Sequence, residues 1–85
     1  MSYRVQFTSS AARQGDRLAD EVHARLDRKI LQLQVNPRPT GVVKLAGGDD
    51  LYRVRVGNYR IIYRVHDDIL LILVIKIGHR RDAYR

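Results

Sequence analysis

The stretch from Leu51 to His66, LYRVRVGNYRIIYRVH, constrains this chain more than any other. Apolar and basic residues alternate with a period of two on both sides of Gly57-Asn58, a pair that supplies the positive φ a two-residue hairpin turn demands. A turn there sets the register: Val56 faces Tyr59, Arg55 faces Arg60, Val54 faces Ile61, Arg53 faces Ile62 and Tyr52 faces Tyr63. Because side chains alternate across a strand, two faces separate. One carries Tyr52, Val54, Val56, Tyr59, Ile61, Tyr63 and Val65; the other carries Arg53, Arg55, Arg60 and Arg64, with Ile62 among them. Like charges directly opposite each other repel, yet no Asp or Glu falls between Leu51 and His66 to relieve Arg55 and Arg60. One arginine on the open face of a sheet is ordinary, and edge cations discourage aggregation. The set, on one face and without acids, reads as a surface for phosphate.

The apolar face of such a hairpin needs a cover. Val22, Leu26, Ile30 and Leu33 form a stripe at helical spacing over about Asp20 to Val35, with Asp20 as cap. Asn36-Pro37-Arg38-Pro39 ends that helix. Upstream, Tyr3, Val5 and Phe7 alternate with Arg4 and Gln6 as a half-buried strand does. Thr8, Ser9 and Ser10 are N-cap candidates for a short helix of roughly Ser9 to Gln14. Downstream, Ile69 to Ile75 is apolar on both faces, the pattern of a central strand, and Tyr3 to Phe7 is the neighbour left for its free side. Asp67-Asp68 reads as a second two-residue turn. Gly47-Gly48-Asp49-Asp50 lacks the Walker spacing and reads as a bend or bulge. The order β-α-α-β-β-β gives an α+β fold: a small antiparallel sheet with two helices on one face, one domain over residues 1–85.

The net charge of +7, from 16 Lys and Arg against 9 Asp and Glu, points to nucleic acid or an acidic protein as partner. The chain has no cysteine, so neither a disulfide nor a thiolate metal site is available, which fits an intracellular protein. The first ten residues lack the apolar run of a signal peptide, and Ile69 to Ile75 is too short to span a bilayer. A cytoplasmic protein is therefore expected. His23, His66 and His79 show no metal-ligand spacing, G-x-S-x-G is absent, and the carboxylates form no evident glycosidase pair. No cofactor or metal is expected. The segment Gly78-His79-Arg80-Arg81-Asp82-Ala83-Tyr84-Arg85 gathers an imidazole, guanidiniums and a phenol directly after the central strand.

Three runs together, Lys44-Leu45-x-Gly47, Leu51-Tyr52-Arg53-x-Arg55-x-Gly57-x-Tyr59-Arg60-x-x-Tyr63 and Gly78-His79-Arg80-Arg81-x-x-Tyr84-Arg85, resemble the RelE branch of the RelE/ParE toxin superfamily over nearly the whole chain. The resemblance implies the toxin of a type II toxin–antitoxin system that cuts messenger RNA in the ribosomal A site, with a cognate antitoxin, the ribosome and mRNA as partners. It implies attack of a ribose 2′-OH on the adjacent phosphate, giving a cyclic phosphate and a free 5′-OH. Carried over by position, the resemblance implies Arg53, Arg55, Arg60, Arg80 and Tyr84, with Lys44 near the groove; with the residues read above, the expected catalytic set is Arg55, Arg60, His79, Arg80 and Tyr84, and the expected RNA-binding set is Lys44, Arg53, Arg55, Arg60, Arg64 and Arg81. Guanidiniums suit phosphate oxygens bidentately, which fits Arg60 and Arg80. Relatives often carry lysines where this chain has Arg53 and Arg55, and arginine is a poor base; that leaves His79 or Tyr84 as proton acceptor, or a reaction driven mainly by electrostatics, with Tyr84 the preferred group at the 2′-OH and His79 an auxiliary. The alternatives are a ParE-like inhibitor of DNA gyrase, which is not an enzyme, and a non-catalytic basic RNA-binding module.

Overall fold

The computed structural model describes residues 2–48 and 50–79. Strand β1 (Arg4–Phe7) leads into helix α1 (Ser9–Asp16) and helix α2 (Asp20–Val35), followed by β2 (Val43–Lys44), β3 (Leu51–Val56), β4 (Tyr59–His66) and β5 (Leu71–His79). The five strands form one sheet in the order β1-β5-β4-β3-β2. The α+β class with two helices holds, and β5 lies between β1 and β4 as its two-sided apolar run requires. The sheet is mixed, because β1 pairs with β5 in parallel, Phe7 beside Val74. A β1 followed by two helices re-enters the sheet only through a long crossover, which frees it from antiparallel geometry.

The β3–β4 hairpin has the register set by Gly57-Asn58, from Leu51 opposite Arg64 to Val56 opposite Tyr59, and Gly57 takes φ 59°. The second connection differs. β4 ends at His66 and β5 starts at Leu71, so the link is Asp67 to Leu70 instead of a two-residue Asp67-Asp68 turn. Leu70 there adopts φ 51°. The Asp67 carboxylate is drawn out of the turn: Tyr3 Oη donates to Oδ1 at 2.6 Å and Arg38 Nη2 to Oδ2 at 2.6 Å. Those bonds tie the first strand, the loop after α2 and this turn together.

Thr8 caps α1 through a bond from the Ala11 N–H at 3.1 Å. α2 has Ala19 at its N-cap with no side-chain bond, so Asp20 sits inside the first turn, where its charge favours the helix N-terminus. Leu26, Ile30 and Leu33 from α2 and Ala11 from α1 bury against Tyr52, Val54, Ile61, Tyr63, Val65, Ile72, Val74 and Ile77. Tyr63 is fully buried, and its hydroxyl donates to the Pro37 carbonyl at 2.7 Å. Burial pushes this phenol up to about 12.

One irregularity decides what lies on the other side of the sheet. Tyr63 pairs with Val74, but Ile62 pairs with Lys76, so Ile75 is an extra residue in β5. A bulge of this kind inverts the alternation beyond it. Ile72 and Val74 face the helices before the bulge and Ile77 after it. β5 also runs past the end of β1, where it loses a pairing partner, and α1 substitutes for one. The Thr8 hydroxyl donates to the Ile75 carbonyl at 3.0 Å, and the Ile77 N–H donates to Gln14 Oε1 at 2.8 Å.

Candidate functional site

Directly opposed residues of paired strands share a face, so the pairings lay out the arginine side row by row. Val43, Arg53, Ile62 and Lys76 form one row across β2 to β5. Arg55, Arg60 and Gly78 form the next, toward the hairpin tip. Leu51, Arg64 and Leu73 form a row on the other flank. The expected pairing of Arg55 with Arg60 is present, and Arg53, Arg55 and Arg60 converge with Gly41 and Val43 on a pocket of about 210 Å³.

The three arginines are held differently. Arg60 is only 5 % exposed, and among the described residues no buried side-chain nitrogen or oxygen lacks a hydrogen-bond partner. A buried guanidinium keeps its charge and is costly unless satisfied, so Arg60 is a fixed charge at the pocket floor. Arg55 is exposed and Arg53 half-buried. Neither forms an ion pair among the described residues. Arg53 and Arg55, with no ion pair among the described residues, are suited to an anion from outside, and guanidinium forks match phosphate oxygens.

Other expected members of the site are elsewhere. Arg64 lies on the same face, but Arg64 Nη1 donates to Asp50 Oδ1 at 2.7 Å, with both side chains about one-third exposed (34 % and 30 %). The acid that neutralises it stands just before the acid-free run. Asp50 also approaches His66 Nδ1 at 3.7 Å. Lys44 pairs with Tyr52, so at the sheet edge it belongs to the helix-side phase, one step away from the arginines. His79 pairs with Tyr59, and the two rings meet edge-on at 5.1 Å and 83°; the imidazole is thus on the helix side too. Arg80, Arg81 and Tyr84 lie outside the described residues. Leu71 and Leu73 share this face through their pairing with His66 and Arg64, but Leu71 is only 8 % exposed and contributes little open area.

Lys76 was not anticipated. Counting by alternation from Ile72 and Val74 puts it among the core residues, and only the bulge at Ile75 carries it to the arginine side. Also unforeseen is the cluster of Tyr3, Arg38, Tyr52 and Asp67. Arg38 Nε donates to Tyr52 Oη at 2.9 Å, and its guanidinium lies 5.3 Å from the centre of that ring. The bonds from Arg38, then that from Tyr3, hold the Asp67 carboxyl below the usual carboxylate range. These charges are paired with each other and brace the fold. A second concavity, about 220 Å³ between the helices, is lined mainly by apolar groups such as Phe7, Ala11, Leu26 and Ile77. It lies across the sheet from the arginines.

Comparison with known proteins gives a consistent picture. Residues 3–84 match the family described as the ParE toxin of type II toxin–antitoxin systems, parDE. The mRNA interferase toxin RelE of Escherichia coli K12 is 29 % identical over 82 residues, covering 94 % of this chain and 85 % of that protein. Toxin RelG of Mycobacterium tuberculosis is 30 % identical over 89 residues, covering 100 % of this chain and 99 % of RelG. Among solved structures, RelE in the archaeal RelE–RelB complex from Pyrococcus horikoshii superposes with a TM-score of 0.83 at 32 % identity, covering 94 % of this chain and 97 % of that one. The intact E. coli RelBE toxin–antitoxin complex gives 0.81 at 29 %, covering 92 % and 96 %.

Proposed function

The chain belongs to the ParE toxin family of type II toxin–antitoxin systems, and from that premise we propose that it is an mRNA endoribonuclease of the RelE kind, restrained by a cognate antitoxin. The observation that carries the reading is the pocket where Arg53, Arg55 and Arg60 converge. Likeness to the mRNA interferase RelE supports the substrate. Likeness to RelE solved with RelB supports the antitoxin.

The reaction forms a bond from the 2′-oxygen to phosphorus and breaks the bond from phosphorus to the 5′-oxygen. Negative charge grows on the non-bridging oxygens as it proceeds. Arg60, fixed and buried, meets that charge without reorganising, the condition under which preorganised donors count most. Arg53 and Arg55 hold the flanking phosphates. The pocket is smaller than those enclosing a whole drug-sized ligand, about 300–1,000 Å³, so it takes the scissile phosphate with part of its sugar at Arg60, while Arg53 and Arg55 reach from its rim to the phosphates on either side. The rest of the message is left for the ribosome to present. Arg80, Arg81 and Tyr84 belong to the proposed site through family resemblance.

The test is cleavage of mRNA on programmed ribosomes by the wild type and by Arg60→Ala and Arg55→Ala, with thermal melts alongside. Arg60→Ala is expected to slow cleavage by about 10²-fold or more, the usual loss for one transition-state charge contact. Wild-type protein that leaves mRNA intact but blocks supercoiling by DNA gyrase would establish the ParE-like reading. Binding of RNA with neither effect would leave a non-catalytic module.

A further inference from the structure

The proposed cleavage needs a proton at the departing 5′-oxygen, and the arginines of the pocket are poor sources. Guanidinium stays protonated in proteins, so Arg53, Arg55 and Arg60 stabilise charge without relaying a proton. An amine gives its proton to a developing alkoxide and recovers it from water. Among the described residues, Lys76 is the one amine whose register puts it on this face, since Lys44 is out of phase and Lys29 is on α2.

Lys76 is not among the lining residues of the pocket, but three observations place it on the pocket's side of the sheet, beside Arg60 on the neighbouring strand. The bulge at Ile75 turns it to the arginine side, in one row with Arg53. The next row holds Gly78 directly opposite Arg60, so the position beside the buried guanidinium has no side chain. The Lys76 stem leans over that vacancy: its Cε lies 3.8 Å from where a Cβ on Gly78 would stand. The ammonium is one bond further out. It forms no ion pair among the described residues. A lysine serving only to keep a strand edge soluble needs neither a bulge to turn it inward nor a glycine to lean across.

We propose that Lys76 is a catalytic residue of this toxin, giving a proton to the 5′-oxygen as the phosphorus–oxygen bond breaks. The inference rests on the ribonuclease reading. The 2′-hydroxyl proton passes to solvent hydroxide or water, the 2′-oxygen bonds to phosphorus, the 5′-oxygen leaves with the Lys76 proton, and solvent restores the ammonium. No net proton, electron or co-reactant is consumed.

The experiment uses the whole protein on programmed ribosomes and two messages. One is ordinary mRNA; the other carries sulfur in place of the bridging 5′-oxygen at the cleaved position. A thiolate leaves without protonation, so the second message bypasses an acid. Lys76→Met and Lys76→Arg are both expected to lose about 10²–10⁴-fold on ordinary mRNA, the usual range for one general acid. Both are expected to regain most of the wild-type rate on the sulfur message, with melts unchanged. Arg60→Ala is expected to stay slow on both. Wild-type activity in Lys76→Arg would reduce Lys76 to a charge and overturn the proposal, as would slow cleavage of the sulfur message by Lys76→Met. If the wild type cleaves neither message, the ribonuclease reading fails and takes this inference with it. Unimpaired Lys76→Met beside active wild type refutes the inference alone.

Discussion

Arg55 and Arg64 look interchangeable in the sequence, but their surroundings differ, and opposite effects on RNA binding are expected of them. Arg55 is exposed and carries no ion pair among the described residues, whereas Arg64 is held by Asp50 at 2.7 Å. Each phosphate neutralised on a single strand contributes about −0.7 to the slope of log affinity against log salt. If Arg53, Arg55, Arg60 and Lys76 each take one, their share of the slope is about −2.8, or roughly a 50-fold loss between 50 and 200 mM salt. Arg55→Gln is expected to flatten the slope by about 0.7. Arg64→Gln leaves it unchanged, because Arg64 releases no counterion while Asp50 neutralises it. Asp50→Asn frees Arg64 and steepens the slope by about the same 0.7, and Lys44→Gln has no effect. Anisotropy titrations of a labelled single-stranded RNA at four or five salt concentrations measure all of these. Equal flattening by Arg64→Gln and Arg55→Gln would refute the assignment of charge to the pocket. Thermal melts of the Asp50 and Arg64 variants, run alongside, separate any loss of stability from the loss of charge.

Three further outcomes are expected. Tyr63→Phe leaves the buried Pro37 carbonyl without its donor and is expected to cost about 1–3 kcal/mol, read as a drop in Tm of roughly 4–8 °C per kcal/mol. The raised Tyr63 phenol also contributes stability present below its unfolded value of about 10 and lost as pH rises through about 12, so alkaline unfolding shifts upward in the same variant relative to its own neutral Tm. Asp67 has a lowered value from Arg38 and Tyr3; its contribution is present above the unfolded value of about 3.9 and is lost as pH falls through the folded one, so the Tm gap between wild type and Asp67→Asn, open at pH 7, narrows to nothing in acid. Thr8→Val removes both the cap on Ala11 and the donor to Ile75, with an expected loss of about 1–2 kcal/mol in chemical denaturation.

Where local chemistry admits a single solution, the chain could be read directly. Gly57-Asn58 admits one tight turn, and every pair of the β3–β4 register follows from it. The α2 stripe and the Pro-flanked stop are equally local, and α2 runs from Asp20 to Val35 as read. Legibility ended where distant residues decide. Asp67-Asp68 has turn chemistry, but Tyr3 and Arg38 claim the first carboxylate from 64 and 29 positions away. Arg64 shares its neighbours' period, but its partner Asp50 sits 14 residues earlier. In Ile69 to Ile75 every position is apolar, so alternation has no phase to follow and a one-residue bulge leaves no mark. That is why the pattern alone gives no sign of the side on which Lys76 and His79 lie.

The bulge also bears on how relatives of this chain should be compared. It works as a frame shift in three dimensions: gain or loss of one residue at Ile75 exchanges the sides of everything from Lys76 to His79 while the strand keeps its length, pairing partner and apolar character. Two sequences aligned without a gap here can match letter for letter and still present opposite sets of side chains to the same substrate. Comparison of this strand across the family is therefore best anchored on Gly78, whose place opposite Arg60 identifies which frame a given chain is in.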